Sequence, residues 1–298
     1  MPPSTFSYTS ADGTQIAAYR WDPAGQPRGL RAAVQLTHGM GEHARRYEHV
    51  ARALNEAGFV VYAQDHRGHG ASIGAGEAGD LGQGGWPGLV DDVGLLSARI
   101  RAGHPGLPLI LLGHSMRSLA VQQYLFDHSG DVDAVVLTGT AAIDLLEGAL
   151  DLDQPMDLTA FNAPFQPART DYDWLSRDEA IVDAYVADPR CGFGIDTGSA
   201  RAMFAGARRG ADPAQVAAIR SGLPVYIAVG EADPVNAGLA LLTPLTERYE
   251  AAGLTDVTVR TYPAARHEIL NETNRDEVIA ELTSWLDRVV TSTARLTR

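Results

Sequence analysis

Apolar residues in this chain gather into short runs that are hydrophobic at almost every position. The runs are Ala32–Leu36, Phe59–Ala63, Leu109–Leu112, Ala134–Leu137 and Val225–Val229. Strands buried on both faces read this way, so the five runs predict a parallel sheet covered on both sides. Between them the spacing becomes helical. Tyr47–Ala57 and Leu89–Ala102 predict helices, and near the end Val278, Ile279, Leu282, Trp285, Leu286 and Val289 fall on one helical face. Asn274 followed three residues later by Glu277 predicts a capping box for that last helix. Val257–Thr261 predicts the last strand, while Thr5–Thr9 and Gln15–Trp21 around Asp12-Gly13 predict a hairpin at the sheet's edge.

The pattern changes between Ile143 and about Ala217. No buried-strand run occurs there, only scattered large apolar residues such as Met156, Phe161, Phe165, Trp174 and Phe204, broken by Pro155, Pro164, Pro167 and Pro189. The stretch predicts a mainly helical lid whose ends return to one sheet. The organisation expected is thus a core in two parts, residues 1–142 and 218–298, with a lid at 143–217.

Candidate chemistry sits at the ends of the predicted strands. In Leu109-Ile110-Leu111-Leu112-Gly113-His114-Ser115-Met116 a serine follows a buried strand and precedes a helical face. A serine in such a turn stands exposed above the sheet, and the turn needs small neighbours. Gly113 meets that need, but the fifth position of G-x-S-x-G holds Arg117. Alone, Ser115 reads equally well as a helix N-cap. The other strand ends change the balance. Thr37-His38-Gly39-Met40-Gly41-Glu42-His43 follows the first run, where two glycines can aim the Met40 N–H toward an oxyanion, with the Met116 N–H as second donor. Gly230-Glu231-Ala232-Asp233 follows the Val225–Val229 run and offers Asp233 as the acid that orients a histidine; Asp144 competes for that role. His267 lies in the loop between the last strand and the last helix, where it can reach the serine as general base. The histidines of Asp65-His66-Arg67-Gly68-His69-Gly70 are expected to be structural hydrogen-bonders near the site, since supporting metal-ligand spacing is lacking.

Composition narrows the function. A formal net charge of −13 argues against nucleic acid and against docking on anionic membranes. The single cysteine, Cys191, excludes an internal disulfide and reads as a structural thiol. No apolar run approaches the ~20 residues of a membrane span, and the N-terminus lacks the pattern of a signal peptide, so a cytoplasmic location is expected.

These segments resemble the monoacylglycerol lipase and lysophospholipase-like branch of the α/β-hydrolase superfamily over nearly the whole chain. The resemblance runs from His38-Gly39-Met40-Gly41-Glu42-His43 through Asp65-His66-Arg67-Gly68-His69-Gly70 and Gly230-Glu231-Ala232-Asp233 to Arg266-His267-Glu268-Ile269-Leu270-Asn271-Glu272. It implies a mostly parallel central sheet flanked by helices with an inserted helical lid. It also implies Ser115, Asp233 and His267 as triad, Met40 and Met116 as oxyanion hole, and a lid whose apolar face binds acyl chains. Met156, Phe161, Phe165 and Phe204 are the candidate acyl contacts. The family has glycine where this chain has Arg117. That side chain either turns to solvent or lid, where it could meet a substrate carboxylate, or distorts the serine turn.

The expected reaction is hydrolysis of a small-to-medium monoester of monoacylglycerol type, needing no metal or cofactor. The rivals are an amide or peptide hydrolase, with Asp151, Asp153 and Asp157 holding a substrate amine, and a ligand-binding protein whose turnover Arg117 impairs. Haloalkane or epoxide hydrolysis is disfavoured, because those reactions need aspartate at the nucleophile position.

Overall fold

A computed structural model of the chain describes residues 2–24, 29–74 and 76–296, the last four of these by backbone alone. Each buried run forms a strand. The strands are β1 (Ser4–Thr9), β2 (Gln15–Trp21), β3 (Ala32–Thr37), β4 (Phe59–Gln64), β5 (Leu109–His114), β6 (Ala134–Thr138), β7 (Val225–Gly230) and β8 (Val257–Tyr262). They make one sheet in the order β1-β2-β4-β3-β5-β6-β7-β8, with β1 and β2 antiparallel to their neighbours and the rest parallel.

Side chains alternate across a strand, so one run feeds two cores. From β5, Ile110 and Leu112 join Val34, Leu36, Val61, Val136 and Tyr226 on one face, covered by α1 (Glu48–Glu56) and α8 (Arg275–Leu296) through Val50, Leu54, Leu282 and Trp285. Leu109 and Leu111 join Val60, Val135, Leu137 and Ile227 on the other face. There α2 (Gly85–Gly103), α3 (Met116–His128) and α7 (Leu242–Ala251) cover them through Val93, Leu96, Val121, Leu125 and Leu245. The polar β8 edge strand stays half-exposed.

The last helix uses its cap differently from expectation. Asn274 donates its amide to Glu277 Oε2 at 3.0 Å and accepts from Arg177 Nη2, also at 3.0 Å, so no reciprocal capping box forms. Between β6 and β7 the chain forms only helical turns among the described residues. These include α4 (Glu179–Ala187), α5 (Thr197–Ala207) and α6 (Pro213–Ala217), with shorter turns at Ile143–Ala149, Leu158–Phe165 and Asp173–Leu175. Among the described residues no helix is long and apolar enough to cross a membrane.

Candidate active site

Ser115 stands between β5 and α3 with φ 54° and ψ −129°, a conformation non-glycine residues rarely adopt and one that costs about 1–3 kcal/mol. The surroundings enforce it. The Ser115 N–H donates to Thr138 O at the end of β6 (2.9 Å), while the Ser118 N–H and hydroxyl both donate to Ser115 O at 2.7 Å. The close approach demands glycine at two neighbours. A Cβ on Gly39 would lie 2.9 Å from the Ser115 Cβ, and one on Gly139, whose φ is +54°, would lie 2.8 Å from His267 Cε1.

His267 and Asp233 meet this serine. His267 Nε2 is 2.7 Å from Ser115 Oγ, and its Nδ1 lies 3.0 and 2.9 Å from the two carboxylate oxygens of Asp233. Asp233 sits just past β7, and the histidine loop passes so close to Gly230 that a side chain there would strike the Ala265 and Arg266 carbonyls. Both His267 and Asp233 are buried. Burial pulls the imidazole toward its neutral form, but the Asp233 charge and hydrogen bond outweigh it, so the His267 pKa is raised. The competing acid does not reach the histidine. Asp144 forms a two-point ion pair with Arg248, at 2.7 and 2.8 Å. Exposed Glu231 accepts from Thr261.

The histidine motifs brace this floor. His38 donates from Nδ1 to Gly39 O and takes the His66 N–H on Nε2 at 3.1 Å; His66 Nε2 in turn donates to His38 O. The His38 and His66 rings stack with centroids 3.7 Å apart, and burial holds His38, His66 and His69 below the ordinary histidine range, hence neutral. Cys191 is no nucleophile, since burial pushes its thiol up to about 12.

An apolar cavity of about 50 Å³ opens beside Ser115, and Met40, Met116, Met156, Phe161, Met203 and Phe204 line it. It shares a wall of Leu146, Leu150, Met156 and Phe161 with an outer groove of about 490 Å³. Met156, Phe161 and Phe204 therefore converge on the serine. Phe165 does not; its ring lies under the Arg266 guanidinium, 4.5 Å away. Arg117 is a larger correction. It turns neither to solvent nor to the cavity but is fully buried between α2 and α3, where Nη1 donates to Leu89 O. The serine turn is not displaced by it, as the 2.7 Å bond to His267 attests. Of the three candidate aspartates, Asp151 and Asp157 line the outer groove and none lines the inner cavity. Asp153 pairs with Arg201, Asp157 caps Thr159, and Asp151 accepts the Asp153 N–H, all three on the exposed surface.

Three contributors escaped sequence reasoning. Trp174 accepts the His267 N–H on its carbonyl (3.3 Å), and its ring packs 4.9 Å from the imidazole. Glu42 and Glu268, both on the cavity wall, close on Arg46. Burial, chiefly, lifts the Glu42 carboxyl to about 7. Glu42 and Glu268 lie inside the His38–His43 and Arg266–Glu272 motifs, whereas nothing in the spacing separates Trp174 from its apolar neighbours.

A mostly parallel sheet with serine, acid and histidine past the ends of β5, β7 and β8 defines an α/β-hydrolase. A family model described as serine aminopeptidase, S33, matches residues 28–274. The chain is 35% identical over 294 residues to the monoacylglycerol lipase of Mycolicibacterium smegmatis, covering 95% of this chain and 96% of that one. It is 28% identical to the monoglyceride lipase of Homo sapiens, over 94% of this chain and 89% of that one. Its fold superposes on a highly thermostable carboxyl esterase from Bacillus coagulans, solved in complex with glycerol, with a TM-score of 0.83 and 28% identity, covering 97% and 99% of the two chains. The chain belongs to this hydrolase family, in its monoacylglycerol lipase-like branch, and is a carboxylic ester hydrolase.

Proposed function

We propose that the chain hydrolyses monoacylglycerols and other small-to-medium monoesters through an acyl-enzyme on Ser115. The observation that carries this reading is the unbroken Asp233–His267–Ser115 hydrogen-bond chain opening on an apolar cavity. His267 Nε2 takes the Ser115 proton as Oγ attacks the ester carbonyl. The Met40 and Met116 N–H groups flank the serine and stabilise the oxyanion. Nε2 then returns the proton to the leaving alcohol, and water releases the acid by the same path. The 143–217 stretch acts as the lid, with Met156, Phe161 and Phe204 against the acyl chain and the outer groove as its continuation.

Two observations weigh against the rivals. On the inner cavity wall, beside Ser115, the carboxylates Glu42 and Glu268 are taken up by Arg46, so among the described residues the acids left to meet a substrate amine are Asp151 and Asp157 of the outer groove. Arg117 lies away from the cavity, so it does not account for a loss of turnover.

The test is twofold. A fluorophosphonate should label Ser115 alone, and kcat/KM over a panel of monoglycerides and p-nitrophenyl esters should rise with acyl length from acetate. An adduct mapped to another residue would remove the mechanism; a flat panel would remove the acyl assignment. A further expectation concerns pH. Because Nε2 must be unprotonated to accept a proton and the His267 pKa is raised, the acid limb of kcat/KM should lie above about 6.5, the ordinary histidine value. Activity is lost as pH falls through that limb. A limb below the ordinary value would mean Asp233 does not act on the imidazole as described.

A further inference from the structure

Outside the triad, Arg46 makes three side-chain hydrogen bonds at the site. Its Nη1 donates to Glu42 Oε2 and Glu268 Oε1, each at 2.5 Å, and its Nη2 donates to Glu268 Oε2 at 2.7 Å. The guanidinium lies over the Tyr185 ring, 4.8 Å from its centroid. Each carboxylate leads to a different part of the machinery. Glu42 Oε1 accepts the Gly39 N–H at 2.5 Å and the Tyr47 hydroxyl at 2.9 Å, so it holds the turn that carries Met40. Glu268 follows His267 directly; its N–H donates to Leu175 O, and its Oε2 also accepts from Asn271. We propose that Arg46 is a positioning residue for ester hydrolysis, tying the turn that bears the Met40 N–H to the loop that bears His267 and so fixing oxyanion donor and general base relative to each other.

The chemistry of the cluster supports this role over substrate binding. Every carboxylate oxygen of the pair already accepts a hydrogen bond from the protein. Carboxylate atoms of Glu42 and Glu268 lie within 4.8 Å of each other and of a His114 nitrogen. Two buried carboxylates that close cannot both remain ionised without a cation between them. Removing the guanidinium leaves the pair either to share a proton or to move apart, and both outcomes loosen the hold on the Gly39 N–H. The titratable groups facing the pair, besides Arg46 itself, are Tyr47, His114, Tyr185, Cys191 and His267.

The proposal rests on Met40 as oxyanion donor, and its test is separable from that of the mechanism. Steady-state kinetics of p-nitrophenyl butyrate hydrolysis from pH 5 to 9, with thermal melts, would compare the wild-type chain with Arg46→Lys, Arg46→Met and Arg46→Met/Glu42→Gln. Arg46→Met should lower kcat about tenfold to a hundredfold with KM within about threefold, since a misplacement of ~1 Å costs on the order of a hundredfold. It should also add an ionisation to the pH profile. Glu42→Gln in that background should remove the ionisation and recover kcat several-fold, because its amide oxygen still accepts the Gly39 N–H. Arg46→Lys should fall between, as a point charge lacks the planar geometry that bridges two carboxylates. Lower melting temperatures with wild-type kcat for both single variants, measured below each melt, would overturn the role. If Arg46→Met does not fold, Arg46→Lys decides alone: reduced kcat at unchanged KM supports the role, and wild-type kcat removes it. Fluorophosphonate labelling of Ser115 in the wild type tests the mechanism whatever Arg46 does.

Discussion

Asp233→Asn is expected to lower kcat by about 10⁴-fold, the scale of loss when a triad acid becomes its amide, while Asp144→Asn leaves kcat within about threefold. Asp233 takes its proton-donating partner at His267 Nδ1, which leaves Nε2 bare toward Ser115 Oγ at 2.7 Å. An amide presents N–H groups to the same nitrogen. The ring then settles with its proton on Nε2, where it cannot accept from the serine. Asp233 is fully buried, so solvent offers no substitute acceptor. Asp144 instead neutralises Arg248, and its replacement should lower the melting temperature rather than turnover. Paired kinetics and melts of the two variants give the answer. The reverse ranking would transfer the third triad position to the β6 end.

Asp233 could be proposed from sequence because parallel sheets put functional loops at the carboxyl ends of strands. Each of Gly39-Met40, Ser115, Asp233 and His267 follows a run or strand that periodicity alone makes visible. What periodicity cannot supply is the direction of a side chain after the strand ends. Asp144 and Asp233 were both acids past a strand, and Arg248, distant in sequence, removes the first from the site. The Arg46 cluster was hidden for a similar reason. Its two carboxylates lie at positions 42 and 268, far apart in the chain, and nothing in the spacing of either motif pairs them.

The stretch from 143 to 217 was legible only in kind. Its short turns and proline breaks carry no sustained period, so the apolar residues could be named but not sorted. Met156, Phe161 and Phe204 face the cavity, whereas Phe165 lies under Arg266. Helix α7 was not foreseen, although Leu242, Leu245 and Tyr249 are buried at helical spacing.

Replacing Arg117 by methionine should stabilise the protein by about 3 kcal/mol while leaving kcat within about twofold. The side chain is fully buried, and burial brings its pKa down to about 10. Its Nη1 reaches the Leu89 carbonyl, but Nε and Nη2 have no partner among the described residues. Asp92, whose charge acts favourably on the guanidinium, is already committed, since it accepts from Arg67 at 2.9 Å and from the Ser10 hydroxyl. Lowering a guanidinium from its ordinary value to about 10 corresponds to about 3 kcal/mol against the charged form, in keeping with the several kcal/mol that an uncompensated buried ion costs. Methionine keeps most of the stem's apolar bulk, and the Leu89 carbonyl retains the hydrogen bond of its own helix. Arg117→Gly relieves the same charge but gives back about 1 kcal/mol as glycine within a helix and leaves the stem's volume unfilled. Methionine should therefore gain more than glycine, on the order of 5–10 °C in melting temperature for a chain of this size. Thermal melts with ester kinetics on the same samples measure both quantities. A lower melting temperature for both variants would mean that the guanidinium, despite its two unpaired nitrogens, holds α2 against α3 and is not a burden on the fold.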